Sequence, residues 1–138
     1  MSAAFCFRFA AAAEGLVGSP FRLHGRDPAS GLDCIGLVGE ALRRCGRIAV
    51  LPRGYRLRMC DPVPLLHFAA ANGFQPASGG DQAGDVVLVH LNGMQPHVLV
   101  ALDRNAFVHA HAGLRRVVRQ NGPFPAPALG RWRLDEKG

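Results

Sequence analysis

Gly31-Leu-Asp-Cys34-Ile-Gly-Leu-Val38-Gly-Glu-Ala-Leu-Arg-Arg-Cys45-Gly46 is the stretch that decides how this chain folds. Ile35, Leu37, Val38, Ala41, Leu42 and Cys45 recur at helical spacing, so residues 33–45 read as an amphipathic helix with a wide apolar stripe. Asp33 suits the N-cap, where a short carboxylate accepts from free amides, and Gly46 suits the left-handed position just past the end. Cys34 is therefore expected in the first turn. Free amides and the positive end of the helix dipole favour a thiolate there, and the Cys34 amide is available to bind an oxyanion. Gly36 is expected to leave the approach to the sulfur uncrowded. On this reading Cys34 is the thiol that reacts rapidly with iodoacetamide near neutral pH. The competing reading is a small buried apolar residue, which is how free cysteines often serve.

Working outward, residues 5–17 read as a first helix closed by Gly18-Ser19-Pro20, and 21–32 as a loop carrying Gly25, Pro28 and Gly31. Residues 46–61 read as irregular, with Pro52 and Gly54 as breakers. Pro62 or Pro64 opens a further helix to about residue 72, closed by Gly73. The second half changes character. Segments 86–90, 97–102, 106–109 and 114–118 are short apolar or β-branched runs, separated by Asn92-Gly93, Asp103-Arg-Asn105 and Gly113 as hairpin turns would separate them. Trp132 falls in a final strand. Helices followed by an antiparallel meander make an α+β layout, expected as a single domain over 1–138.

A chain of 138 residues buries roughly two-thirds of its unfolded surface and needs no disulfide or metal to hold a core. With 49% apolar and 19% charged residues it reads as globular. The formal charge of +6 favours polyanionic partners, or is simply a solvated basic surface. Nucleic acid is not expected as a partner, because aromatics are few and no recognition motif is present. Cys6, Cys34, Cys45 and Cys60 include no C-x-x-C pair, so reduced thiols and folding in a bacterial-type cytosol are expected. Arg8 interrupts the apolar N-terminal run and no basic region precedes it, so no signal peptide is expected. No apolar run is long enough to span a membrane.

A thiol nucleophile needs a base within hydrogen-bond reach. His97 leads an apolar strand and His109 follows twelve residues later across one tight turn. In a two-strand hairpin such residues stand on one face as neighbours, so one ring can orient the other. Cys6, Cys45 and Cys60 lack a comparable setting and read as structural. His24, His67 and His90 read as surface or edge residues. Zinc bound by Cys34, His97, His109 and His111 is a rival, but no C-x-x-C or H-E-x-x-H spacing supports it. No metal and no cofactor are expected.

Four short segments in this order resemble the NlpC cell-wall cysteine peptidases. Gly31-Leu-Asp-Cys34-Ile-Gly-Leu-Val38 resembles their D-C-S-G-L/F-V helix start, and Gly84-Asp-Val-Val-Leu88 their G-D-L-V-F strand. Pro96-His-Val-Leu-Val100 is similar to H-V-G-I-Y, and Phe107-Val-His-Ala110 to F-I/V-H-A. The resemblance implies a papain-like fold with N-terminal helices on an antiparallel sheet. It implies an endopeptidase cutting cell-wall stem peptides between D-glutamate and a diamino acid. By position it makes Cys34 the nucleophile, His97 the base and His109 the residue that orients His97. The basic surface would then meet the anionic wall polymer. Gly25-Arg-Asp-Pro28 ahead of Cys34 is similar to a branch found in tailed-phage and gene-transfer-agent tail clusters. That implies tail proteins as partners, synthesis in the cytoplasm, and carriage to the wall on a tail particle.

One departure stands out. The family carries a tyrosine in a Y-R-L/Y-G-G pattern before the cysteine, and its hydroxyl supports the nucleophile and the oxyanion. The matching segment here is Phe21-Arg-Leu-His24-Gly25, with one extra residue before Cys34. Phe21 has no hydroxyl, and Tyr55 lies outside the motif. Arg22, His24 and Asp33 are the nearby candidates for oxyanion or substrate support. Two further readings keep the fold: a tail-assembly module that has lost activity, and an amidase, acyltransferase or interbacterial effector acting on another substrate. Loops 46–64 and 73–84 would carry that specificity.

Overall fold

A computed structural model describes residues 2–50, 63–91 and 95–134 of the chain. Three helices come first or between short strands: α1 (Ser2–Glu14), α2 (Cys34–Arg44) and α3 (Val63–Ala71). β1 (Arg26–Asp27) and β2 (Gly31–Leu32) form a small ribbon between α1 and α2, and β3 (Phe74–Pro76) follows α3. β4 (Val86–Leu91), β5 (Gln95–Asp103), β6 (Ala106–His111) and β7 (Arg116–Asn121) form the meander, and β8 (Ala128–Leu134) closes the chain. The sheet is antiparallel, in the order β3-β8-β4-β5-β6-β7. The α+β layout is as the sequence implied.

The helices lie on one face of the sheet. Val86, Leu88, Val98, Val100, Val108, Ala110 and Val117 meet Phe9, Ile35, Leu37, Val38 and Leu42 in one buried cluster. The alternate residues Val87, Val89, Leu99, Ala101 and Phe107 form a second cluster on the other face, covered by Phe124 and Ala126. Both faces of β4 and β5 are therefore apolar, which is why these strands read as continuous hydrophobic runs rather than alternating ones. Among the described residues no helix is long and apolar enough to cross a membrane.

Several boundaries differ from expectation, each for a local reason. The first helix ends at Glu14, not residue 17, because Leu16, Val17 and Ser19 close tight bonds onto the third residue back and Gly18 takes φ +96°. The strand expected at 114–118 is β7 at Arg116–Asn121. Leu114 donates its N–H to His111 Nδ1 and Arg115 takes φ +60°, so the turn uses residues the apolar pattern assigned to the strand. β7 then runs on through polar residues because it is an edge strand. Cys6 is buried and Cys45 half-buried, while Cys60, Tyr55 and the Asn92-Gly93 turn lie outside the described residues.

The Gly84-Asp85 pair anchors the start of β4. Gly84 takes φ +86°, and a Cβ there would stand 2.5 Å from the Cys6 carbonyl oxygen of α1. Asp85 is fully buried and receives both Nε (2.7 Å) and Nη2 (2.9 Å) of Arg133 on β8, together with the Gln82 amide at 2.9 Å. This bidentate contact ties the last strand to the sheet.

Candidate active site

Asp33 caps α2 through its side chain: Oδ1 accepts the Gly36 N–H at 2.8 Å. The same carboxylate accepts the His24 N–H at 2.8 Å and the Arg26 Nη1 at 3.2 Å. Asp33 is fully buried, so it draws loop 21–32 down onto the helix start. His24 bends there with φ +61°. The loop comes so close that a Cβ on Gly36 would fall on the Gly25 carbonyl oxygen. Gly36 was expected to leave the approach to the Cys34 sulfur uncrowded. Instead its bare face receives the Gly25 main chain.

Cys34 is buried in the first turn of α2, with Ile35 behind it in the core. The pairing of β5 with β6 runs from Asp103↔Ala106 to Val100↔Val108. Beyond it lies the start of β5, and α2 packs against both strands. The main-chain amides of Val98, one residue past His97, and of Ile35 and Cys34 itself lie close enough to the Cys34 sulfur to favour its thiolate. The sulfur thus lies at the mouth of the β5–β6 pair, beside the main chain that carries His97.

His97 and His109 meet across that mouth, with His97 Nε2 2.9 Å from His109 Nδ1. Both rings are buried. The sequence reading placed them as same-face hairpin neighbours, and the structure brings them into direct contact. His109 Nε2 lies 3.1 Å from Gln120 Oε1 on β7. Phe124 stands edge-on to the His109 ring, with centroids 5.5 Å apart and planes at 88°. The His111 ring lies 5.6 Å from that of His109. Among the described residues no three His, Cys, Asp or Glu side chains converge as metal ligands.

The electrostatics run against one expectation. Burial pushes the Cys34 thiol up to about 12, and the Asp33 carboxylate adds to the rise. The three amides act the other way and are outweighed. The N-cap that builds the helix start also sets a negative charge beside the sulfur, so the dipole does not leave a stabilised thiolate. Burial likewise pushes His97 down to about 3, with His109 and His111 adding to the fall. His109 is lowered by burial, and its contact with Gln120 opposes that. Both shifts favour the uncharged form near neutral pH, a thiol at Cys34 and a neutral imidazole at His97.

The remaining predicted residues line the loop. Phe21 is half-buried, packs against the cluster that contains Cys34, and is bridged to Leu32. Arg22 and His24 are exposed, and His24 reaches the site through its main-chain N–H on Asp33. Gln120 and Phe124 escaped the sequence reading. Gln120 lies past the point where apolar alternation in β7 stops. Its signal is register alone: His109 pairs with Val118, so residue 120 stands diagonally on the same face.

Residues 18–130 match the model of the NlpC/P60 family. Among solved structures, NlpC2 from Trichomonas vaginalis is similar, with TM-score 0.68 and 20% identity over 94% of this chain and 46% of that one. The P60 domain of antigen MAP1204 from M. avium subspecies paratuberculosis gives 0.60 and 18% over 95% and 94%. The NlpC/p60 domain of the peptidoglycan hydrolase SagA gives 0.57 and 25% over 83% and 86%. This chain spans about half the length of the T. vaginalis protein. A search of curated proteins returned no match.

Proposed function

The chain belongs to the NlpC/P60 family, whose members are cysteine peptidases of the hydrolase class, and from that premise we propose that it hydrolyses peptidoglycan stem peptides with Cys34 as nucleophile and His97 as base. The observation that carries this is the contact of His97 Nε2 with His109 Nδ1 at 2.9 Å, on a strand whose next main-chain amide, that of Val98, favours the thiolate of Cys34. With Nε2 engaged by His109, Nδ1 is the ring nitrogen left to take the thiol proton. The sulfur attacks the scissile carbonyl as that proton moves to His97 Nδ1. The Cys34 amide then stabilises the oxyanion. His97 returns the proton to the leaving amine, and water resolves the acyl-enzyme. SagA is described as a peptidoglycan hydrolase, which supports the substrate class. The D-glutamyl–diamino acid bond is the scissile bond of this proposal. Segment 25–28 extends it to an enzyme made in the cytoplasm and carried on a phage-like tail.

Purified peptidoglycan digested by wild type should release stem-peptide fragments of the mass expected for that cut, and Cys34→Ala should release none. Equal release by the variant, or none by wild type, rejects the proposal.

Phe21 motivates a second measurement. If its ring stands where the family tyrosine stands, one oxyanion donor is missing. Phe21→Tyr adds one oxygen to a half-buried ring and should fold normally. It should raise kcat on a stem-peptide substrate about tenfold or more, with KM changing less, because the new bond strengthens mainly in the transition state. No gain over an active wild type means that another group fills the role. No activity in either protein would favour a tail module that has kept the fold and lost the reaction.

A further inference from the structure

We infer that Gln120 is a positioning residue that sets which nitrogen of His97 faces Cys34. A neutral imidazole has one N–H and one bare nitrogen, so a chain of two rings transmits a choice made at its far end. Gln120 Oε1 lies 3.1 Å from His109 Nε2, and a carbonyl oxygen accepts only. His109 therefore carries its proton on Nε2 and presents a bare Nδ1. That bare nitrogen lies 2.9 Å from His97 Nε2, which must supply the proton of the contact. His97 Nδ1 is then left without one, in the form a base needs. With the Gln120 amide reversed, its NH₂ would donate to His109 Nε2. The rings would then pass a proton the other way, leaving His97 with N–H on Nδ1 and no lone pair for the thiol. Both rings are buried, which keeps them neutral and keeps the choice binary. Phe124, edge-on to His109, holds that ring in the plane the relay needs.

The catalytic consequence rests on the proposed Cys34–His97 pair, whereas the tautomers do not, and the test separates them. Protein with 15N-labelled histidine is read by two-bond 15N–1H correlation at pH 7, with His97 and His109 assigned by single His→Gln variants. Both rings should be Nε2–H tautomers in wild type and in Cys34→Ala. In Gln120→Met, which removes the acceptor at similar size, His109 should become a mixture. On a stem-peptide substrate kcat of Gln120→Met should fall at least about tenfold with KM little changed. Gln120→Glu, an acceptor that cannot donate, should recover most of that loss. A wild-type His97 with N–H on Nδ1 overturns the inference whether or not any variant folds. A Gln120→Glu variant as slow as Gln120→Met also overturns it, since it points to a donor or to packing. The expected tautomers without Cys34-dependent hydrolysis would uphold the relay and reject the proposed function.

Discussion

Alkylation of Cys34 by iodoacetamide should accelerate about tenfold for each pH unit from 6 to 9, with no plateau in the neutral range. The reactive species is the thiolate. A thiol pushed up to about 12 from 9.0 holds about a thousandfold less thiolate at pH 7 than an unperturbed cysteine. Partnership with His97 is the obvious objection, since many catalytic cysteines rest as thiolate–imidazolium pairs. Burial pushes the Cys34 thiol up and His97 down, so both shifts act against separating the charges. The neutral forms are therefore expected at rest. Access to a buried sulfur also slows labelling, so the slope of log rate against pH decides, not the absolute rate. Mass mapping separates Cys34 from Cys6, Cys45 and Cys60. A pH-independent rate between pH 5 and 8 would show a preformed ion pair. That would mean the amides of Val98, Ile35 and Cys34 outweigh burial and Asp33.

Asp85→Ala should lower stability by about 3 kcal/mol, a fall in Tm of about 10 °C for a chain of this size. The Asp85 carboxylate is fully buried and takes two hydrogen bonds from Arg133 and one from the Gln82 amide. Its removal leaves the guanidinium without its main anion and an amide without its acceptor. Arg133 keeps 28% of its side-chain surface exposed, so water recovers part of the loss, and the lower end of the range for broken buried pairs applies. Arg133→Met in the Asp85→Ala background removes the orphaned charge and should regain part of the stability. Thermal unfolding of the three proteins tests this. A loss below about 1 kcal/mol in the single variant would show that β8 is held by its strand pairing alone. The site should suffer little beyond the stability change, because β8 pairs with β3 and β4 while His97 and His109 lie on β5 and β6.

Local chemistry made part of this protein legible from residues alone. Asp33, the stripe from Ile35 to Leu42 and Gly46 specify α2 through caps and period, and these signals act within a few residues of one another. The β5–β6 hairpin is of the same kind, since a short turn fixes which residues stand opposite. The spacing of His97 and His109 therefore implied neighbours before any coordinates. The family was legible too, because its four segments keep their order along the chain. The tertiary structure decided what depends on distant segments. It joined β8 to β4 and β3, paired Asp85 with an arginine 48 residues away, and laid the Gly25 carbonyl against the bare face of Gly36, where an uncrowded approach to the sulfur was expected. It brought Gln120 to His109 from beyond the apolar part of β7. It also reversed the sign expected at Cys34, because a helix start acts within one turn, whereas desolvation sums over every segment packed around the sulfur.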